Sequence, residues 1–234
     1  MRMNQEICMM GDLMQSSTQD QISVILRVRD EERWIGHAIQ SCLDFINKPE
    51  IIIVNNKSKD QSIKISKLFK HDTSLDDVDQ RYCDIKILDI DNYSPGKALN
   101  LGCEKATRPN LLIISSHCII KKFDIDILLR KLNVYPAIFG KQVPYYFGKR
   151  LNHKYIWSHF GDEEKVNLFS NQEDRYFFHN AFSFIRRDYL NKFKFNENLV
   201  GKEDRYWINQ LVNRGDSFLY SNQFICDHHF TQNG

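Results

Sequence analysis

The spacing of apolar positions changes along the chain, and the changes divide it into elements. Ile22–Val28 (ISVILRV) is short, apolar and β-branched, and predicts a buried strand. After it, Trp34, Ile35, Ala38, Ile39, Cys42, Leu43 and Ile46 recur at helical spacing. Asp30, Glu31 and Glu32 precede them, where a helix N-terminus favours negative charge. Glu50–Val54 (EIIIV) predicts a second buried strand ending at Asn55-Asn56. Ser58 or Asp60 then caps a helix carrying Ile63, Ile65, Leu68 and Phe69. A polar loop over 71–82 leads to a third strand at Asp84–Ile90. Ser94-Pro95-Gly96 turns into a helix through Leu99, Leu101 and Ala106, and Leu111–Ser115 predicts a fourth strand.

Strands alternating with helices predict right-handed βαβ crossovers and a mostly parallel sheet. Ligands of such sheets bind off the carboxyl ends of the strands. The segments to search are therefore Arg27–Asp30, Asn55–Asp60, Tyr93–Lys97 and Ser115–Cys118. None contains the GxGxxG of a dinucleotide fold or the GxxxxGK[ST] of a P-loop. The second half is less regular. Val134–Tyr146 predicts a strand pair around Gly140, and Phe177–Arg186 a strand leading into a short helix at Asp188–Phe193. Gly201-Lys202-Glu203-Asp204 opens a helix with Trp207, Ile208, Leu211 and Val212 on one face and Gly215 as its C-cap. Ser217–Tyr220 and Phe224–Cys226 predict short strands, followed by Asp227-His228-His229.

Composition narrows the classes. The 234 residues suffice for a sizeable core, and 42% hydrophobic with 26% charged residues excludes global disorder. Charge is nearly balanced at +2, so no basic field points to a nucleic-acid polymer. The six cysteines are scattered without a CxxC pair, which argues against a zinc module and for reduced thiols in a cytoplasmic chain. The N-terminal residues lack the apolar core of a secretory signal, and no apolar run approaches the roughly 20 residues of a membrane span. The expected organisation is a flexible extension over 1–20 and a single domain over 21–234.

From Ile22 to His229 the order of motifs resembles family 2 glycosyltransferases. ISVILRVRDEERWIGHAIQSCL is similar to that family's first strand and helix, and EIIIVNNKSKDQS to its second strand and nucleotide loop. SPGKALNLGCEKA resembles the third-strand turn and helix, and NLLIISSHC stands at the metal-binding Asp-x-Asp segment. FFHNAFSFIRRD resembles the acceptor-side strand, and GKEDRYWINQLVNRG the helix with the catalytic Glu-Asp pair. The resemblance implies an α/β GT-A fold: a Rossmann-like, mostly parallel central sheet flanked by helices, with a smaller acceptor-side mixed β region. It also implies a nucleotide-binding half (21–120) and an acceptor and catalytic half (121–234). The implied activity is inverting transfer of a sugar from a nucleotide-sugar donor to a glycan or glycolipid acceptor. Family habit adds a role in capsule, lipopolysaccharide or a related surface glycan, at the inner face of the cytoplasmic membrane. A sugar nucleotidyltransferase and a degenerate, scaffolding homologue are the alternatives.

Inverting transfer needs a carboxylate to deprotonate the acceptor hydroxyl. Asp204 is the expected base, with Glu203 beside it, although acidic residues also suit a first helical turn for its dipole alone. The resemblance puts nucleotide contacts at Arg27, Arg29, Asp30, Glu32 and Asn55, and at Lys97, Ser115, Ser116 and His117. Asn55 replaces the family's usual aspartate. Lys57 stands where glycine is frequent, so Asn56 is expected to take the left-handed turn. His179 and Asn180 are candidates for acceptor or donor-sugar contacts. Trp207 either stacks on an acceptor or fills the core.

Ser115-Ser116-His117-Cys118 lacks the carboxylates that hold Mg²⁺ or Mn²⁺. Three accounts follow: a softer divalent metal between His117 and His228 or His229, a metal-independent enzyme with Lys97, Arg27 or Arg29 neutralising phosphate, or an inactive relative. Tyr145, Tyr146, Phe147, Tyr155 and Trp157, interleaved with Lys141, Lys149, Arg150 and Lys154, suggest an acceptor groove or a surface facing anionic lipid.

Overall fold

The computed structural model describes residues 21–70, 83–151 and 155–230. The extension expected over 1–20, the polar loop over 71–82 and Lys154 lie outside the described residues.

The first half alternates as the periodicity predicts: β1 (Ile22–Val28), α1 (Ile35–Phe45), β2 (Glu50–Asn55), α2 (Ser62–Lys67), β3 (Asp84–Asp89), α3 (Pro95–Lys105) and β4 (Asn110–Ser115). β1 lies between β2 and β4, and β2 pairs with β3, all parallel. The second half contains β5 (Cys118–Lys122), α4 (Ile125–Leu132), β6 (Ala137–Tyr146), β7 (Lys149–Arg150), β8 (Lys165–Val166), β9 (Phe169–Ser170) and β10 (Arg175–Tyr176). β11 (Phe182–Arg186), α5 (Arg187–Lys192), α6 (Glu203–Asn213) and β12 (Leu219–His229) complete it. One sheet runs through both halves in the order β3-β2-β1-β4-β11-β6-β12-β5, with β7 on β6 and β8 on β12. β11 is antiparallel to β4 and β6, so the sheet is parallel on one side and mixed on the other.

The apolar runs of β1 and β2 reflect burial on both faces. Val24, Leu26 and Val28 pack with Ile35, Ala38, Ile39 and Cys42 of α1. Ile25 points the other way, among Ala98, Leu99 and Cys103 of α3 and Trp207 and Ile208 of α6. Each buried Val, Leu or Ile among them contributes about 1.5–3 kcal/mol by leaving water. The helix ends follow local chemistry. Ser94 accepts from the Lys97 amide at 3.2 Å, with Pro95 opening α3. Asp60 accepts from the Ser62 amide at 2.9 Å before α2. After α6, Gly215 (φ +92°) donates to the Val212 carbonyl at 2.9 Å.

Several expectations need correction. Val134–Tyr146 is not a strand pair: Gly140 lies inside the single strand β6, where β12 crosses it closely. The strand expected from Phe177 starts at Phe182, because Phe177 and Phe178 are both buried in the same core layer and a strand would alternate them. The two short strands near the C-terminus are one strand, β12, whose ladder with β6 shifts register between Ser221 and Ile225. β5 and α4 add a strand and a helix to the expected elements between β4 and β6. Lys57 rather than Asn56 adopts the left-handed conformation (φ +53°), with its ammonium 3.0 Å from Asp91. The acidic triplet does not decorate the first turn of α1, which begins at Ile35 and has no acidic residue there.

Candidate functional site

At the carboxyl ends of β1 and β4, a cavity of about 430 Å³ is lined by Arg27, Val28, Arg29, Glu31, Asn56 and Tyr93 on one side. Ser115, Ser116, His117, His179, Asn180, Asp204 and His228 line the other. The parallel register of β1 and β4 sets Arg27 beside Ser115, and the Ser116 hydroxyl donates to the Arg27 carbonyl at 3.1 Å. Strand ends of both halves thus converge on one space.

The Glu-Asp pair divides as adjacent helical residues must. Asp204 lines the cavity, and its carboxylate accepts from the Asn180 amide (3.0 Å), the Arg205 amide (2.8 Å) and the Arg205 guanidinium (2.8 Å). Three donors fix its rotamer. Glu203 turns aside to meet Arg27, Oε1 to Nη1 at 3.3 Å. Burial pushes the Glu203 carboxyl above its ordinary pKa despite the Arg27 charge. Burial opposes the Arg27 cation, but Tyr93, Glu203 and Asp204 outweigh it and hold its pKa above the usual value.

Other expected contacts serve the scaffold. The Asn55 side chain accepts from the Ser58 amide at 3.0 Å and donates to Asp89 at 2.7 Å, so Asn56 lines the cavity in its place. Asp30 accepts from the Lys59 amide at 2.6 Å, and Glu32 from the Gln61 amide at 2.9 Å; both latch the loop before α2 to the end of β1. The Lys97 ammonium donates to the Asp91 carbonyl at 2.9 Å and does not line the cavity. Trp207 belongs to the core, its indole donating to the Phe193 carbonyl at 2.6 Å.

Glu31, Tyr93 and Asn56 line the cavity without having been singled out. Glu31 is 4% exposed and pairs with His117, Oε1 to Nδ1 at 3.0 Å. Tyr93 and Asn56 fall in post-strand segments that the topology marked. Glu31 gave no signal among three consecutive acids.

The metal expectation separates the two C-terminal histidines. The His228 ring centroid lies 4.9 Å from that of His117, whereas His229 stacks on Trp34 at 3.9 Å, on the opposite face of β12. His228 Nδ1 is bonded to Gln142 Oε1 at 2.8 Å. His117 Nδ1 is engaged by Glu31. No group of three or more His, Cys, Asp or Glu able to hold a metal ion occurs among the described residues. Hard cations prefer oxygen ligands, which the His117 and His228 imidazoles do not supply. His179 and His228 are held below the usual imidazole pKa, foremost by burial and next, for His179, by the Arg205 charge.

A second cleft of about 310 Å³ adjoins the first, sharing Glu31 and lined by Arg33, Trp34, Tyr145, Tyr146, Phe147 and His229 among others. Tyr146 and Phe147 are exposed between β6 and β7, with exposed Lys149 and Arg150 beside them. Among the described residues, no helix is long and apolar enough to cross a membrane.

A model of glycosyl transferase family 2 matches residues 23–193. S. aureus TarS residues 1–349 in complex with UDP-GlcNAc superposes with a TM-score of 0.66 at 18% identity, covering 91% of this chain and 59% of that one. The complex of the same protein with UDP gives 0.64 at 17%, covering 90% and 61%. A further structure of TarS residues 1–349 gives 0.62 at 16%, covering 89% and 60%. The chain therefore spans about three fifths of those structures, and the likeness establishes a shared GT-A fold. No curated protein matches the sequence.

Proposed function

The chain belongs to glycosyl transferase family 2, and from that premise we propose that it is an inverting glycosyltransferase moving a sugar from a nucleotide-sugar donor to an acceptor hydroxyl. The observation that carries this reading is the Asp204 carboxylate, fixed by three donors and lining one cavity with the ends of β1 and β4. The nucleotide-sugar lies along Arg27, Arg29, Asn56, Tyr93 and Ser115 to His117. Asp204 takes the acceptor proton as the acceptor oxygen attacks the anomeric carbon. Glu203 holds Arg27 in place. The TarS structures with UDP-GlcNAc and UDP put UDP-sugars first among donors to try. The acceptor is a glycan or glycolipid of a surface polysaccharide, such as capsule or lipopolysaccharide. The exposed Tyr146 and Phe147, with basic neighbours, support peripheral contact with an anionic membrane face.

Calorimetry with UDP-, GDP-, CMP- and dTDP-sugars tests the reading, followed by nucleotide release from the bound donor with and without a glycolipid extract. Wild type is expected to bind one donor class, and Asp204→Asn to bind it equally while losing turnover about 100-fold or more. Near-normal turnover in Asp204→Asn removes Asp204 from the mechanism. Failure of wild type to bind any donor supports the scaffolding alternative.

A further inference from the structure

Where the family resemblance puts carboxylates for a metal, this chain has an imidazole backed by a carboxylate. His117 and Glu31 are both buried, both line the donor cavity, and are joined Nδ1 to Oε1 at 3.0 Å. The Glu31 main chain is fixed on both sides. Its amide donates to the Ser62 hydroxyl at 2.7 Å, and its carbonyl accepts from the Trp34 and Ile35 amides at 2.9 Å each. A carboxylate can only accept, so Nδ1 carries the proton toward Glu31, and Nε2 is the ring nitrogen turned from that pair. On the far side, the His117 carbonyl accepts from the His229 amide at 2.9 Å, which ties the residue to β12. His228, the nearest other imidazole, has its Nδ1 bonded to Gln142 Oε1 at 2.8 Å.

Resting on the donor-site reading above, we propose that the Glu31–His117 pair replaces the divalent cation in this enzyme. With the donor bound, a proton bridges His117 Nε2 and an oxygen of the diphosphate, and Glu31 behind the ring holds it in position. Arg27, pinned by Glu203, supplies a fixed positive charge. In the transfer step the bond from the anomeric carbon to the phosphate oxygen breaks and its electron pair leaves with the nucleoside diphosphate. The acceptor oxygen bonds the same carbon, and the acceptor proton passes to Asp204. The charge that develops on the departing phosphate is met by His117 and Arg27, and no metal or co-reactant enters the balance. His117 is then a catalytic residue and Glu31 a positioning residue.

The test compares nucleoside diphosphates with their monophosphates (UDP and UMP, GDP and GMP, dTDP and dTMP) by calorimetry, in EDTA and in millimolar Mn²⁺. For the base that wild type prefers, the diphosphate is expected to bind more tightly than the monophosphate, equally in both buffers. His117→Asn keeps a polar side chain without the imidazole and is expected to lose that gain by about 10-fold or more, the size of a hydrogen bond to a charged phosphate. Glu31→Gln still accepts from Nδ1 and is expected to lose part of the gain. In each variant the monophosphate loses affinity by a smaller factor than the diphosphate, a selectivity that a general loss of structure would not produce. Diphosphate binding that requires Mn²⁺, or an undiminished gain in His117→Asn, overturns the proposal while leaving the donor site standing. No gain from a second phosphate for any of these bases also overturns it, and absence of any nucleotide binding overturns both readings.

Discussion

Gly140 offers a quantitative test of how the two halves of the sheet meet. It pairs with Ser221 in the β6–β12 ladder, and residues 222–224 of β12 bulge over it before pairing resumes at Ile225 and Lys141. A Cβ at position 140 would stand 2.5 Å from the Phe224 carbonyl oxygen, 2.7 Å from a Phe182 ring carbon and 2.8 Å from a Phe224 ring carbon. Normal contacts are about 3.5 Å or more, so the Phe224 backbone must retreat by about 1 Å. The Phe182 and Phe224 rings, with centroids 3.7 Å apart, have no room to absorb the shift. Inserting a methyl group into such packing costs about 3 kcal/mol, at the upper end for overpacking. For a domain of this size that lowers the melting temperature by roughly 6–12 °C. Gly161 is the control: a Cβ there meets nothing within 4 Å, and Gly161→Ala should change stability by less than about 0.5 kcal/mol. Because β12 continues to His228, Gly140→Ala should also weaken donor binding. Calorimetric melts of both variants decide the matter; equal melting temperatures for Gly140→Ala and wild type would refute the close crossing.

Two further outcomes follow from the remaining charges. Burial pushes the Glu50 carboxyl up, but Lys86, Ser23 and Thr107 outweigh it and hold its pKa below the ordinary value. Its stabilisation is therefore present above the unfolded-state pKa near 4.5 and is lost as pH falls through the lower folded value. Glu50→Gln should cost about 2 kcal/mol at neutral pH and flatten the acid limb of stability, measured by urea melts between neutral and acid pH. An unchanged acid limb removes Glu50 from that dependence. At the tip between β6 and β7, Phe147→Ser should reduce co-sedimentation with anionic vesicles several-fold at an unchanged melting temperature. If wild type does not sediment with such vesicles, the membrane contact is withdrawn.

The first half was legible because strands buried on both faces leave uninterrupted apolar runs, as in Ile22–Val28 and Glu50–Val54. The second half depends on pairing that local pattern does not encode. In β5 only Cys118 and Ile120 are buried, and β12 continues through a bulge that reads as a break. In the site, topology identified the strand ends but not which neighbour faces inward. Asn56 lines the cavity while Asn55 is spent on Ser58 and Asp89, and His228 faces it while His229 stacks on Trp34. A one-residue difference reverses the face of a strand, so adjacent identical residues are indistinguishable until register is known.

The triplet Asp30-Glu31-Glu32 shows how that ambiguity bears on chemistry. All three suit a helix start, yet α1 uses none of them in its first turn. Asp30, at φ +51°, and Glu32 accept from amides of the loop before α2, fixing the turn after β1. With those two committed outward, Glu31 is directed inward to His117. A carboxylate facing the cavity directly would attract a cation and repel a diphosphate unless a metal intervened. A carboxylate behind an imidazole has the opposite effect, since it turns the ring so that the outer nitrogen, not the carboxylate, meets the phosphate. The sign of the group presented to the donor is therefore set by the order of two side chains, Glu31 behind and His117 in front, and by the turn that holds them in that order.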